Sequence, residues 1–552
     1  MWGVLFFRNR QRPSPHPSPH PYKEHKELII SKVAIAEKIQ TTNPIRALGI
    51  YKEISNTLPT ANDPKLYARI KHGEGACYFA LSAVNNKKDN LKHAVIAYRE
   101  ALKIRIKLPI EYADTRNSMG HVYCKLSEIQ DKEANLLLAV KAFGVVLKLR
   151  TVDKFPVCYA ETQNNLGITY SKLSAVRDKA ANLHLAVGAF KEALKIWTLT
   201  EFPASYASAQ NNLGIAYSKL SEEEDKQANL HLAVKAFEEA LRIRTVDKFP
   251  VHFAATQHNL GTAFGKLSEE EDKEANLRLA VKAYTEALKI WTVDKFPAFY
   301  ARTQFNLGTA CYDLSEIWDN EANLRLAVRA YTEALKLWTV DKFPVVYAKT
   351  QHSLGAAYYE LSEVRDKEAN LYLAIGAYVE ALKIRTIDKF PVDYAETQNN
   401  LGIAYKSLSQ VRDKEAILHL AIKAFEQALI VRTIDKFPVE YAATQDNLGI
   451  AYKNLSQVWA KEENLHLAIK AFGQALSIRT VDRFPVDHAT TQNNLGIAYK
   501  HLSEVRDKEA NLDLAIKAYE QALKIVGKSE YPEYYEIVTK NLNKARELLT
   551  GA

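Results

Sequence analysis

Residues 391–437 read PVDYAETQNNLGIAYKSLSQVRDKEAILHLAIKAFEQALIVRTIDKF, and close copies of this 47-residue stretch follow one another through most of the chain. Each copy opens on a proline, and these prolines share one register: Pro109, Pro156, Pro203, Pro250, Pro297, Pro344, Pro391, Pro438, Pro485 and Pro532. An aromatic residue precedes the proline in nine of the ten cases. Self-similarity at a fixed period of this size predicts a solenoid, in which neighbouring repeats bury their apolar faces against one another.

Two helical patterns lie in each copy. In 391–437 the first runs through Tyr394, Leu401 and Tyr405, and the second through Leu418 and Phe425, both at helical spacing. The proline suits the first turn of the first helix, and the segment before it forms the turn between repeats. Two residue types compete as N-cap of the second helix. One is an asparagine (Asn182, Asn229, Asn276 and Asn370), and the other is an aspartate four residues earlier (Asp178, Asp225 and Asp272).

A glycine recurs inside the first helix, where it costs about 1 kcal/mol relative to alanine. The set is Gly167, Gly214, Gly261, Gly308, Gly355, Gly402, Gly449 and Gly496. Its regularity indicates close approach of a neighbouring helix. We expect the small residues Ala186, Ala233 and Ala280 to face it.

These residues resemble the tetratricopeptide repeat, and the match runs through nine consecutive 47-residue units. The residues that match the family's pattern in order are Leu401, Gly402, Tyr405, Ala421, Phe425, Ala428 and Pro438. The family's unit has 34 residues, so this chain departs from it by a longer, charged loop between the helices and a longer second helix. It looks like the long repeat arrays of bacteria, often cyanobacteria, and more distantly like kinesin light chain. The resemblance implies an all-α, right-handed α-α superhelical solenoid of helix-turn-helix repeats.

The repeat boundaries divide the chain into four parts. Residues 1–21, rich in Pro, Ser and His, are expected to be a disordered tail, and 22–63 an atypical N-terminal helix pair. Ten tandem repeats are expected over 64–531, the first of 45 residues and the others of 47. Residues 532–552 are expected to form a C-terminal capping helix.

Composition narrows the function classes. The net charge of +9 is mild for 552 residues, and acidic and basic residues alternate, which argues against nucleic-acid binding and indicates a solvated surface. No apolar run is long enough to span a membrane. The four cysteines, Cys77, Cys124, Cys158 and Cys311, lack disulfide or metal-ligand spacing, so we expect apolar packing roles and a reducing cytoplasm.

No motif for catalysis, cofactor binding or metal binding stands out, so we expect no enzyme activity, no cofactor and no metal. The resemblance implies that the first helices line a concave groove and that residues just before Leu-Gly point into it. Those residues are mostly asparagines, which can grip a peptide backbone because an amide both donates and accepts. They are Asn164, Asn165, Asn211, Asn212, Asn259, Asn306, Asn399, Asn400, Asn447, Asn493 and Asn494. The alternative is that these amides fix the geometry between repeats.

Two further sets of residues, each at one fixed position of the repeat, bear on which partner the chain would bind. We call such a set a column. Two residues after the recurring tyrosine the repeats read Lys125, Lys172, Lys219 and Lys266, and then Asp313 and Glu360. If this column faces the groove, its basic half favours a partner with an acidic segment; otherwise it is a solvated edge. The tryptophans Trp197, Trp291 and Trp338 either anchor a partner or cover the turn between repeats.

The sequence therefore indicates a scaffold for a protein or peptide partner, with no nucleic acid or membrane involved. Two alternatives remain open. One is a regulatory or adaptor subunit of a separately encoded effector enzyme, and the other is a structural protein that assembles with itself.

Overall fold

A computed structural model describes residues 21–57 and 63–550. The expected tail at 1–21 lies outside the described residues except for Pro21, which begins the first helix. The chain divides into two compact units, residues 1–248 (unit 1) and residues 249–552 (unit 2). No strand occurs in the described ranges, and their helices pair in sequence order, so the prediction of an all-α solenoid of helix-turn-helix repeats is confirmed within each unit.

Most first helices begin at the recurring proline, as the sequence predicts. The helices of unit 1 are α1 (Pro21–Ile39), α2 (Pro44–Thr57), α3 (Pro64–Leu81), α4 (Lys87–Arg105), α5 (Pro109–Leu126), α6 (Lys132–Leu149), α7 (Pro156–Leu173), α8 (Lys179–Leu194), α9 (Pro203–Leu220) and α10 (Lys226–Leu241). Those of unit 2 are α11 (Pro250–Leu267), α12 (Lys273–Leu288), α13 (Pro297–Ser315), α14 (Asn320–Leu335), α15 (Pro344–Val364), α16 (Lys367–Leu382), α17 (Pro391–Leu408), α18 (Lys414–Leu429), α19 (Pro438–Leu455), α20 (Lys461–Leu476), α21 (Pro485–Leu502), α22 (Lys508–Leu523) and α23 (Pro532–Thr550).

Odd-numbered helices from α3 onward are first helices, and even-numbered ones are second helices. Within each unit a second helix packs against its own first helix and against the first helix that follows, as α8 does with α7 and α9. Successive first helices also touch, as α15 and α17 do. The expected ten-repeat span over 64–531 stays a prediction.

The recurring glycine lies against an aromatic ring of the paired second helix. A Cβ built on Gly402 would lie 2.6 Å from Cε1 of Phe425, and one built on Gly214 would lie 2.6 Å from Cε1 of Phe237. The rings themselves are buried, with Phe425 fully inaccessible. The ring atoms are therefore the nearest neighbours of a Cβ at these glycines. That Ala186, Ala233 and Ala280 also face the glycine stays a prediction.

The second helices begin at the aspartate and not at the asparagine. Asp178 takes a left-handed conformation (φ 39°) and makes no side-chain capping bond, and α8 starts at the next residue. Asn182 lies inside the helix, where its Nδ2 donates to the backbone oxygens of Arg177 (2.8 Å) and Asp178 (3.2 Å). The asparagine thus fastens the loop to the helix, and its prediction as N-cap was wrong. Asp is among the few residues that tolerate positive φ, which explains its recurrence here.

The charged loops between paired helices connect neighbouring repeats. In unit 1, Arg177 pairs with Glu133 at 3.0 Å, and Lys179 pairs with Glu222 at 3.0 Å. In unit 2, Arg365 pairs with Glu321 at 3.1 Å. These exposed pairs contribute roughly 0–1 kcal/mol each. The alternating acidic and basic side chains therefore form ion pairs between successive loops, in addition to keeping the loops solvated.

The cysteines and tryptophans serve packing. Cys77 and Cys311 are buried, and Cys124 and Cys158 are half-buried, with all four thiols free. Trp197 and Trp291 are only 6% and 1% exposed. Trp291 stacks on Phe299 of the next first helix with ring centroids 4.7 Å apart. Trp197 and Trp291 therefore fill the contact between repeats and are not accessible as partner anchors.

A matched pair of glycines tests the ring contact. Gly402→Ala should lower the stability of the fold by roughly 1–3 kcal/mol, because its Cβ would overlap the Phe425 ring. Gly376→Ala, on the exposed side of α16, meets no atom within 4 Å and should stabilise by up to about 1 kcal/mol through helix propensity. Thermal unfolding followed by circular dichroism measures both. A midpoint for Gly402→Ala equal to or above that of the parent chain would refute the contact.

Candidate functional site

Each first helix from α7 to α21 exposes a stripe of side chains at the same positions of the repeat. It contains the residues two before, one after and five after the recurring glycine, which share a helix face by their spacing. We call this stripe the first-helix face. Its members are Asn165, Ile168 and Lys172 on α7; Asn212, Ile215 and Lys219 on α9; Asn259, Thr262 and Lys266 on α11; Asn306, Thr309 and Asp313 on α13; Ser353, Ala356 and Glu360 on α15; Asn400, Ile403 and Ser407 on α17; Asn447, Ile450 and Asn454 on α19; and Asn494, Ile497 and His501 on α21. All but Ser407 are half-exposed.

The two asparagines of each pair occupy different environments. The second of each pair belongs to the first-helix face, as Asn165, Asn212, Asn400 and Asn494 do. The first is turned toward the neighbouring repeat, and Asn211, Asn399 and Asn493 are only 8%, 8% and 6% exposed. Asn164 is half-buried. The pair thus divides into one residue that a ligand could reach and one that lies between helices.

The buried asparagines bond to the next first helix. Asn493 accepts from Nδ2 of Asn541 at 3.0 Å, and Asn399 accepts from the Thr444 hydroxyl at 3.2 Å. Arg432, at the end of the intervening second-helix segment, donates to the same Thr444 hydroxyl at 3.0 Å. These contacts support the structural alternative for the first asparagine of each pair.

Histidines take the place of the buried asparagine in other repeats, which the sequence reasoning missed. His352 stands 47 residues before Asn399, and its Nδ1 lies 3.0 Å from the Thr397 hydroxyl. Burial first, and Arg385 second, lower the pKa of His352 to about 3. It is therefore a neutral hydrogen-bonding group of the repeat contact. His352 and Asn399 both stand three residues before the recurring glycine. Aligning the repeats on that glycine reveals this shared position in the sequence.

The basic column of unit 1 is partly neutralised. Lys172 and Lys125 lie 3.0 and 3.3 Å from Oε1 of Glu128. Burial alone would raise the pKa of Glu128, but the hydrogen bond from Lys172 and the neighbouring lysines lower it to about 2. Lys219 instead donates to two neutral acceptors, the Ser171 backbone oxygen and hydroxyl, both at 3.3 Å. Of these three lysines, only Lys219 has no carboxylate within 4 Å of its ammonium group in the described part of unit 1.

In unit 2 the same column begins with Lys266 on α11 and is acidic on the next two first helices, α13 and α15. Asp313 and Glu360 are half-buried, and burial raises the pKa of both carboxyls. For Asp313 the pKa reaches about 6, with Glu316 as the second cause. Neither carboxylate forms an ion pair or hydrogen bond with any residue in the described ranges. The first-helix face therefore carries uncompensated negative charge at this place.

The described residues contain neither a metal centre nor a membrane span. Among residues 21–57 and 63–550, no three His, Cys, Asp or Glu side chains are grouped so that they could hold a metal ion. Nor does any helix in those ranges combine the length and apolar character needed to cross a membrane.

Comparisons with known proteins bear on the fold alone. No protein-family model matches the chain, and no curated protein matches it. Solved structures that are similar include the C-terminal part of a TPR repeat-containing protein from Cytophaga hutchinsonii, at 17% identity over 58% of this chain and 98% of that chain, with a TM-score of 0.37. The apo form of RapI is similar at 14% identity over 74% of this chain and 98% of that one, with a TM-score of 0.43. The apo quorum sensor NprR from B. thuringiensis is similar at 15% identity over 72% and 99%, with a TM-score of 0.38.

The resemblance to tetratricopeptide repeats is confirmed for the fold, and the evidence is the helix pairs of this chain. Each repeat joins a first helix bearing the recurring glycine to a second helix whose aromatic ring covers it. The comparisons lend no partner or activity to the chain.

The raised pKa of Asp313 predicts a pH-dependent stability. A carboxyl whose pKa is higher in the folded state destabilises the fold as pH rises through that value, here about 6. Asp313→Asn should therefore raise the melting temperature at pH 8 and give little gain at pH 4. Asp294→Asn removes the same charge from an exposed turn of unit 2 and serves as the control. A gain for Asp313→Asn that is equal at both pH values would contradict the assignment.

Proposed function

We propose that this chain is a non-catalytic scaffold that binds a partner protein or peptide along its first-helix face. The observation that supports the proposal most is the repetition of one half-exposed combination. An amide, an aliphatic residue and a polar or charged residue recur on α7, α9, α17, α19 and α21, as in Asn212, Ile215 and Lys219. A solenoid that shows the same small group at each step suits an extended polypeptide, whose backbone groups also repeat at a fixed spacing.

The amides are the groups that would bind a peptide backbone. Asn212 donates from Nδ2 to Oδ1 of Asn164 at 3.3 Å, and Nδ2 of Asn165 lies 3.3 Å from Nε2 of His121. These are long, weak bonds between half-exposed groups, so a bound peptide could replace them at small cost. The aliphatic residue between amide and lysine would pack on the peptide and exclude water.

For unit 1 we propose that the partner segment is acidic where it meets Lys219. Burial, the main cause, lowers the pKa of this lysine, and Lys132 and Lys179 act in the same direction. A carboxylate placed beside the ammonium would stabilise its charged form. Lys125 and Lys172 contribute less in this proposal because Glu128 already pairs with them. The four free thiols support a reducing cytoplasm as the place of action.

A second candidate function is self-assembly, which a row of exposed leucines on the second helices favours. Leu185 and Leu232 of unit 1 are 50% and 43% exposed, and Leu326 and Leu420 of unit 2 are 48% and 46% exposed. A regulatory or adaptor role toward a separately encoded enzyme stays a third candidate, and the identity of the partner decides it.

Position-resolved photo-crosslinking tests these candidates. A photoreactive phenylalanine analogue replaces Ile215 or Ile403 on the first-helix face, and Leu232 or Leu420 on the exposed row of second helices as controls. After irradiation in a lysate of the native cells, adducts are identified by mass spectrometry. We expect one partner protein to be joined at positions 215 and 403 and absent at 232 and 420. Adducts confined to the leucine row, or adducts of the chain with itself alone, would contradict the scaffold proposal.

A further inference from the structure

In unit 2 two buried tyrosines of the second helices have a hydroxyl partner on the first helix, whereas the buried Tyr519 hydroxyl has none within the described residues. The Tyr284 hydroxyl donates to Oγ1 of Thr262 at 3.2 Å, and the Tyr331 hydroxyl donates to Oγ1 of Thr309 at 3.2 Å. In the next repeat the threonine is replaced by Ala356, although the tyrosine, Tyr378, is retained. Tyr378 is only 2% exposed, and its hydroxyl makes no hydrogen bond with any residue in the described ranges. The Tyr378 hydroxyl oxygen is not itself fully buried, unlike the unpaired hydroxyl of Tyr519 on α22, and without the threonine it is free to bond to a group from outside the chain.

The Tyr378 hydroxyl opens onto a cavity. The cavity has a volume of about 220 Å³ and is lined by Tyr312, Ala356, Tyr359, Glu360, Tyr378, Asn400 and Ile403. Pockets for small molecules have volumes of roughly 300–1,000 Å³. This smaller cavity therefore suits a single side chain inserted from the surface. We call it the Tyr378 cavity.

The charge of the cavity is negative and uncompensated. The Glu360 carboxylate has no ion pair or hydrogen bond within the described residues, and burial first, then Glu363 and Glu316, raise its pKa. The nearby cations are bound elsewhere, because Lys273 pairs with Glu316 at 2.8 Å and Lys367 lies 3.8 Å from Glu363. Asp313, next to Tyr312, adds a second unpaired carboxylate. In α7 the same position of the first-helix face carries Lys172, whose charge Glu128 pairs.

The aromatic lining selects a cation over a neutral side chain. The rings of Tyr312 and Tyr359 line the cavity on two successive first helices, and tyrosine faces attract lysine and arginine. The Tyr378 hydroxyl oxygen can accept a hydrogen bond from one N–H of an ammonium or guanidinium group whose other N–H groups donate to Glu360. Carboxylate, ring faces and hydroxyl oxygen all favour a positively charged donor.

We propose that the Tyr378 cavity binds a lysine or arginine side chain of a partner polypeptide, with the cation at Glu360 and the aliphatic stem along Tyr312 and Tyr359. This inference rests on the proposed function of the first-helix face and names the chemistry it recognises in unit 2. It adds a basic residue to the partner, distinct from the acidic segment proposed for unit 1.

The first test uses a fluorescein-labelled Gly-Lys-Gly-Lys-Gly-Lys-Gly peptide and the full chain, with fluorescence anisotropy at low salt as the readout. Peptides with Gln or Glu in place of Lys are the ligand controls. We expect the lysine peptide to bind and the other two to bind at least about tenfold more weakly. Glu360→Gln should weaken binding of the lysine peptide about tenfold, the loss of one charge-assisted contact.

Glu363→Gln is the matched variant, since it removes the same charge from the exposed end of the same helix. It should change the affinity less than about twofold. Equal losses for Glu360→Gln and Glu363→Gln would overturn the proposal and indicate attraction to general negative charge. Failure of the lysine peptide to bind the parent chain would overturn it as well.

Ala356→Thr tests the cavity without changing charge. The threonine would fill the space and supply the hydroxyl that Thr262 and Thr309 give their tyrosines. We expect peptide affinity to fall at least about fivefold while the melting temperature stays the same or rises. Undiminished binding by a folded Ala356→Thr chain would overturn the proposal.

Failure here is distinguishable from failure of the scaffold function. A partner crosslinked at Ile215 and Ile403, together with no binding of the lysine peptide, would remove the cavity assignment and leave the scaffold standing. Absence of any partner adduct on the first-helix face would remove the scaffold itself.

Discussion

The contact on which the rest of the structure depends is that between the recurring glycine and the aromatic ring of its paired second helix. In ten repeats a Cβ on the first-helix glycine would come within 2.6–2.9 Å of that ring, from Gly75 with Tyr98 to Gly496 with Tyr519. Only a residue without a side chain lets the helices approach so closely. The cost of glycine in a helix, about 1 kcal/mol relative to alanine, is offset by burial of a large ring.

This constraint determines which side chains are free to vary. Once the glycine faces inward against the ring, the positions two before, one after and five after it are turned away from the pair and stay half-exposed. The charge of the residue five after the glycine can therefore differ from repeat to repeat. Lys219 in unit 1 and Glu360 in unit 2 stand at the same position of the repeat and give the first-helix face opposite charges.

The helices and their order follow from the sequence, because proline, glycine and the aromatic rings recur at one period and each has a specific local effect. The contacts between repeats could be predicted less well from the sequence. The cap of the second helix was ambiguous, since Asn182 and Asp178 are both good capping residues and only the backbone shows which one starts the helix. Close approach of a neighbouring helix to the glycine was predicted, but its contact with the Phe190 ring was not, because the reach of the ring depends on its side-chain conformation.

The candidate site was located only in part. Asn165 and Asn400 lie half-exposed on the first-helix face, where their role in binding stays a prediction, but their neighbours Asn164 and Asn399 bond between repeats. The sequence alone does not show which of two adjacent asparagines is exposed and which lies between helices, since both stand at the edge of the same helix face. The exchange of threonine for Ala356 opposite Tyr378 is visible in the sequence, but the meaning of this exchange depends on knowing that the two side chains meet.

A double-mutant cycle on Gly402 and Phe425 tests the glycine–ring contact most directly. Gly402→Ala, Phe425→Leu and the double variant are compared with the parent chain by thermal unfolding, and the coupling between the two substitutions is the quantity of interest. If the ring is what excludes a side chain at position 402, alanine there will destabilise the Phe425→Leu chain much less than the parent chain. Strictly additive losses would contradict the account, because they would mean that residue 402 and the ring do not meet.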